Sequence, residues 1–155
     1  MQEVKSYIIN YLTHNNEFEV INQFQIKPFS INVQCLEGTF IDNIFKISDY
    51  TETQKLDRNS RHLYDVHKIL KVVQFNREKF QLLFDSVRKE RQLKLDRNVT
   101  SIKGCNIVQT LQIIIEKDVF KKDYKDIIQA LLFEEVSYEE VKGSLYALIQ
   151  QGLIP

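Results

Sequence analysis

The residues best suited to chemistry lie in one run, Arg58-Asn59-Ser60-Arg61-His62-Leu63-Tyr64-Asp65-Val66-His67-Lys68. On a helix, Arg61, Asp65 and Lys68 share one face at i, i+4 and i+7, His62 lies beside Asp65, and Leu63 and Val66 point toward a core. A carboxylate held among cations can orient or deprotonate a hydroxyl beside a polyphosphate, while the cations neutralise phosphate charge. The plainer reading of the same spacing is a solvated helix face with an Arg61–Asp65 ion pair.

Other constellations are weaker. His62 and His67 are five residues apart, which is not the i, i+4 pairing of a helical zinc site, and His14 is distant in sequence, so no histidine metal site is expected. Asp42, Lys46 and Asp49 would share the outer face of the preceding helix, where carboxylates either meet a magnesium ion or only keep the helix soluble. The run Arg88-Lys89-Glu90-Arg91 offers cations to RNA, but no stacking platform is interleaved, and a charged solvent face is the expected role.

The elements that must position these groups are mostly helical. Val4, Ile8 and Leu12, flanked by Tyr7 and Tyr11, predict a helix over residues 3–13 that stops at His14-Asn15-Asn16. Phe18-Glu19-Val20-Ile21 and the run from Ile26 to Val33 read as two short strands, with Pro28 favouring an edge or entry position. Helical period returns through Phe40, Ile41, Ile44, Phe45 and Ile47. A polar connector, Thr51 to Arg58, leads to a helical hairpin whose arms Asn59 or Ser60 and then Asn76 would cap. Leu63, Val66, Ile69 and Leu70 face inward on its first arm, and Phe80, Leu83, Phe84 and Val87 on its second. Apolar stripes follow at Ile107 to Ile115 and Phe120 to Leu132, and Ser137 with Glu140 forms a capping box for a last helix burying Val141, Leu145 and Leu148. The expectation is a mainly α chain of about six helices with one small β-hairpin or two-stranded element near the N-terminus. Residues 1–155 are read as one domain, in which 1–58 hold the first helix, the strands and the next helix, and 59–155 a helical bundle.

Composition bounds the function classes. With 155 residues and 43% hydrophobic content the chain can bury a core, and with 4 Gly and 2 Pro it has little material for glycine-rich phosphate loops or turn-dense β folds. Twenty-one basic and 21 acidic residues cancel, so no whole-molecule field recruits nucleic acid or membrane. The charges are unevenly spread: Lys55 to Arg97 hold twelve basic and six acidic residues, which leaves the flanks acidic. Cys35 and Cys105 lie far apart in apolar contexts and are expected to be buried free thiols. No signal-like start and no stretch of about 20 apolar residues is present, so a cytoplasmic location and no membrane partner are expected.

Two segments carry a family resemblance. Leu36-Glu37-Gly38-Thr39-Phe40-Ile41-Asp42-Asn43-Ile44-Phe45 with Ser48-Asp49-Tyr50, and then Asn59 through Leu70, resemble the third and fourth motifs of the AbiEii/AbiGii toxin nucleotidyltransferases, "SRHLYD" being the more specific. Val87 to Arg91 and Lys122-Asp123-Tyr124 are similar to that family's helical tail. The resemblance covers the family's C-terminal half. It implies that Asp65 is catalytic and that Arg61, Tyr64, Lys68 and Asp42 are nucleotide or substrate contacts. The polymerase-β-like N-terminal half of such enzymes supplies a Gly-Ser loop and an Asp-x-Asp pair for magnesium, and no Asp-x-Asp occurs here. Gly143-Ser144 lies inside the predicted last helix with no aspartate after it, and is read as chance. Gly38 and Asn43 stand where the family usually has Arg and Lys.

The resemblance therefore implies magnesium and an NTP for a complete family member, and no cofactor for this chain alone. It points to a C-terminal fragment or truncated homologue of an abortive-infection toxin without independent catalysis. The implied partners are a catalytic N-terminal half or a cognate antitoxin, and an exposed strand edge would favour a homodimer. The alternative is a helical module that binds RNA or protein through the basic 55–97 hairpin.

Overall fold

A helix meant to be covered on one side shows one apolar stripe, whereas Phe40, Ile41, Ile44, Phe45 and Ile47 span more than a stripe. In the computed structural model, which describes residues 2–155, the helix they occupy is the centre of the fold. Helix α3 (Leu36–Glu52) buries all five side chains together with Ser48 and Thr51. The two hydroxyls are tolerated inside because each donates to a carbonyl one turn back, Ser48 Oγ to Ile44 O and Thr51 Oγ1 to Ile47 O, both at 2.8 Å.

The chain divides into two compact units, one ending at Gln34 and the other spanning Cys35–Pro155. In the larger unit, α4 (Arg61–Val72), α5 (Arg77–Gln92), a 3-10 turn (Val99–Ser101) and α6 (Ile107–Glu116) pack around α3. The last helix, α8 (Tyr138–Gln150), packs on α4 and α6. Asn76 Oδ1 caps α5 by accepting from Lys79 N at 3.0 Å, and the Ser137–Glu140 capping box opens α8, both as their sequence signatures require. Phe40, Phe75, Phe80 and Phe84 form an aromatic ladder between α3 and α5, with adjacent centroids 4.8–6.1 Å apart. The stripe from Phe120 to Leu132 is not one regular helix. It breaks into a short turn, α7 (Lys121–Asp123), a π turn (Tyr124–Ile128) and a 3-10 turn (Gln129–Leu131). Tyr124 is fully buried at the head of the π turn, where its hydroxyl donates to Val136 O at 3.0 Å.

The smaller unit holds the expected two-stranded element, its second strand inside the expected Ile26–Val33 run and its first elsewhere. β1 (Gln2–Val4) pairs antiparallel with β2 (Phe29–Ile31), Gln2 opposite Ile31 and Val4 opposite Phe29. Residues 2–4 are therefore strand, and the first helix, α1 (Tyr7–His14), starts where Ser6 Oγ accepts from Ile9 N at 3.3 Å. The segment read as a strand at Phe18–Ile21 is instead α2 (Phe18–Gln23). Asn16 takes a left-handed φ of 60° and Glu17 N donates to Leu12 O, so the chain reverses and packs α2 on α1. There the half-buried Val20 and Ile21 sit side by side in sequence, which a helix in a hairpin covers and a strand with one buried face would not. The cysteines also differ from expectation. Cys35 is exposed and its Sγ caps α3 by accepting from Gly38 N at 3.3 Å, while Cys105 is only half-buried.

Candidate functional site

Helix α4 carries the chemical run, and its start is fixed from a distance. Neither residue expected to cap it does so: Asn59 Nδ2 donates to Lys55 O, and Ser60 Oγ is buried without a partner. The carboxylate of Asp123 on α7 accepts instead, from Arg58 N at 2.7 Å and Ser60 N at 3.0 Å. Burial works to raise the Asp123 carboxyl, but hydrogen bonds from Ser60 and Arg58 outweigh it and hold it below the usual carboxylate range. The same clamp keeps Arg58 at φ 60°, a left-handed conformation that costs a non-glycine residue about 1 kcal/mol or more.

Past this clamp, α4 turns Leu63 and Val66 into the core and brings Asp65 up against α3. Asn43 of α3 is the connector. Its Oδ1 lies 2.9 Å from His62 Nδ1, and its Nδ2 donates to Asp65 Oδ2 at 3.4 Å. The His62 ring is buried and stacked on Tyr50 at 5.8 Å, and its pKa is lowered to about 4 by burial and by the charges of Lys46 and Arg61. A neutral ring that meets an amide oxygen through Nδ1 carries its proton there, so His62 donates to Asn43 and Asn43 to Asp65. His62 Nε2 is left buried with no partner.

Asp65 ends this chain with its side chain 48% exposed. Partial burial raises its pKa above the ordinary value, against the opposing pull of Lys46, Arg61 and the Asn43 bond. The Arg61–Asp65 ion pair offered by the spacing does not form: among the described residues the only charged partner within 4.0 Å of Asp65 would be His62, at 3.9 Å and neutral. Arg61 and Asp65 instead line a cleft of about 500 Å³ together with Arg58 and Tyr64, opposite an apolar wall that includes Ile127, Ile128 and Leu131. Lys68 points elsewhere, pairing with Glu134 at 2.5 Å.

Asp42 and Asp49 belong to a second cluster. Asp49 is 3% exposed, not on an outer face as its spacing suggested. Its Oδ1 accepts from Thr100 N at 2.7 Å and Thr100 Oγ1 at 2.6 Å, and its Oδ2 meets Arg91 Nη2 at 2.6 Å. The other guanidinium nitrogen of Arg91 bonds Asp42, which also pairs with Lys46 at 2.7 Å. Arg91 lies over the Phe45 ring, and Arg88 over Phe45 and Phe84, so two cations of the run read as a solvent face are turned inward. The guanidinium holds the place between these carboxylates that a divalent cation would need. Among the described residues no three metal-ligating side chains converge, so the residues present do not fit a magnesium ion.

The family assignment comes from comparison of the whole chain. Residues 7–143 match the family model described as nucleotidyl transferase AbiEii toxin, type IV TA system. The chain belongs to the AbiEii toxin family. No match was found among curated proteins or among solved structures. In this AbiEii-family chain the expected site residues are brought together in part: Arg61, Tyr64 and Asp65 share one cleft, while Lys68 and Asp42 are held by Glu134 and Arg91. Sequence reasoning missed Asn43 as the link to Asp65, Asp123 as the clamp of α4 and Arg91 as the partner of Asp49. Asn43 left a signal as an amide where the family usually has Lys, and Arg91 and Asp123 lay inside the segments similar to the family's helical tail, which gave no hint of their partners. Among the described residues no helix is long and apolar enough to cross a membrane.

Proposed function

We propose that this chain supplies the helical, Asp65-bearing wall of a nucleotidyl-transfer site, and that transfer requires an Asp-x-Asp half that its 155 residues do not contain. The observation that carries the reading is the His62–Asn43–Asp65 chain of hydrogen bonds ending at the mouth of a cleft that Arg61 and Tyr64 also line. A carboxylate held by one amide and raised by partial burial is suited to take a proton from an acceptor hydroxyl, and Arg61 to hold a phosphate beside it. Tyr64 offers a ring against which a planar group can lie. Magnesium would neutralise charge at the reacting phosphate in a complete enzyme, and since Asp42 and Asp49 are taken by Arg91, no step of the chemistry is assigned to a metal here.

The family's toxin–antitoxin character makes a cognate antitoxin the expected cellular partner, in the cytoplasm. An RNA-binding role for the basic hairpin has less support, because Arg88, Arg91 and Lys68 are committed to rings and carboxylates. The reading is tested by co-expressing the chain with a segment that carries Gly-Ser and Asp-x-Asp motifs and measuring transfer from labelled NTPs. Reconstituted transfer that falls at least about a hundredfold in Asp65→Ala is expected, as for loss of a general base. Transfer that is indifferent to Asp65→Ala would overturn it.

A further inference from the structure

At the other end of α4 a second cleft, of about 600 Å³, opens between the last turns of α4 and α8 and the Val73–Phe75 link to α5. It shares no lining residue with the Asp65 cleft. Its charges are one-sided: Lys71 and Arg77 line it and no carboxylate does. Among the described residues Lys71 makes no ion pair within 4.0 Å, and the carboxylates it acts on, Glu134 and Glu140, do not line the cleft.

Arg77 is held in place by the backbone. Its Nη2 donates to Gly152 O at 2.5 Å, just past the end of α8. Gly152 has a φ of +57°, and a Cβ there would lie 3.2 Å from Arg77 Nη2. The left-handed turn and the missing side chain together let the guanidinium approach, while its remaining N–H groups stay available.

His67 and Ser144 form the polar wall of this cleft. His67 is 4% exposed, with Nδ1 2.7 Å from Ser144 Oγ and Nε2 buried without a partner. With the proton on Nδ1, the ring donates to Ser144 and leaves the hydroxyl proton with only a longer bond, 3.3 Å to Glu140 O. Turning that proton to a ligand oxygen gives up only this longer bond. The remaining surface is apolar, with Phe75 and Leu153 on it. Two cations with no carboxylate on the cleft wall, and a hydroxyl, suit a dianionic group, and the apolar surface suits a body attached to it.

We infer that this cleft binds a small phosphate monoester with an apolar body, its phosphate met by Lys71, Arg77 and the Ser144 hydroxyl and its body by Phe75 and Leu153. The site is independent of the transfer chemistry assigned to Asp65.

The test is titration of the purified full chain, followed by amide chemical shifts, with phenyl phosphate, inorganic phosphate and benzoate. Saturable binding of phenyl phosphate at least about tenfold tighter than either other probe is expected, since each lacks one of the two recognised parts. Lys71→Gln and Arg77→Gln should each weaken it about five- to tenfold, and Lys103→Gln, an exposed cation that lines neither cleft, should leave it unchanged. Lys71 is exposed and unpaired, so Lys71→Gln keeps the test sound even if loss of the Gly152 bond unfolds Arg77→Gln. Absence of saturation, equal affinity for inorganic phosphate, or an affinity unmoved by Lys71→Gln would each overturn the proposal.

Discussion

Asn43 and Asp49 lie on the same helix, less than two turns apart, and the polar groups around them are built in opposite ways. At Asp49 every charge has its counterpart: Arg91 spans Asp49 and Asp42, and Thr100 gives two hydrogen bonds to the same buried carboxylate, with only Arg91 Nε left unpartnered. At Asn43 the chain of bonds runs from buried His62 outward and stops at Asp65, whose carboxylate is half-exposed and meets no charged partner. One cluster is closed and holds α5 to α3. The other is left open at a cleft, with a carboxylate raised by burial and no charge to meet it, which is the kind of polar environment that function retains at the expense of stability.

Breaking the closed cluster should have the largest effect. Arg91→Met strands the Asp49 carboxylate in the core, and a loss of about 3–5 kcal/mol in denaturant unfolding is expected. Adding Asp49→Asn should recover part of it, because the orphaned charge is then gone. Opening the other cluster by acid comes next. His62 titrates at about 4 in the fold against 6.5 unfolded, so its contribution is present above pH 6.5 and is lost as pH falls toward 4. The loss approaches about 3 kcal/mol, and unfolding measured across that window should flatten in His62→Gln.

A smaller effect is expected at the clamp that aims Asp65. Asp123→Ala removes the carboxylate that accepts from Arg58 N and Ser60 N and should cost about 1–2 kcal/mol in thermal or denaturant unfolding. The smallest effect carries the sharpest contrast. Because the folded pKa of Asp65 is raised, its contribution is present only at low pH and is lost as pH rises through the folded value. Asp65→Asn should therefore raise stability at pH 7, whereas Asp49→Asn, which breaks a buried pair, should lower it. Unfolding of the two variants side by side checks the sign.

The local parts of this molecule were legible in the sequence. The Asn76 cap, the Ser137–Glu140 box and the apolar positions of α3 to α6 and α8 follow from spacing alone, because helix period and capping act within a few residues. Of the face that spacing gave to Arg61, Asp65 and Lys68, the first two line one cleft while Lys68 pairs with Glu134. What escaped was non-local. Asp49 reads as a surface residue until Arg91, 42 positions on, is brought to it, and Ser60 reads as a cap until Asp123, 63 positions on, binds its backbone N–H. Phe18–Ile21 reads as a strand from its residue types, but a neighbouring helix decided otherwise.

The most direct test of the central claim uses the chain alone. The purified protein is incubated with each labelled NTP, magnesium or manganese, and tRNA or total bacterial protein as acceptor, and label transferred to any acceptor is counted against a no-protein control. The open Asp65 cluster without an Asp-x-Asp pair predicts no transfer above that background. Transfer above background that disappears in Asp65→Ala would contradict the account, because these 155 residues would then complete the site by themselves.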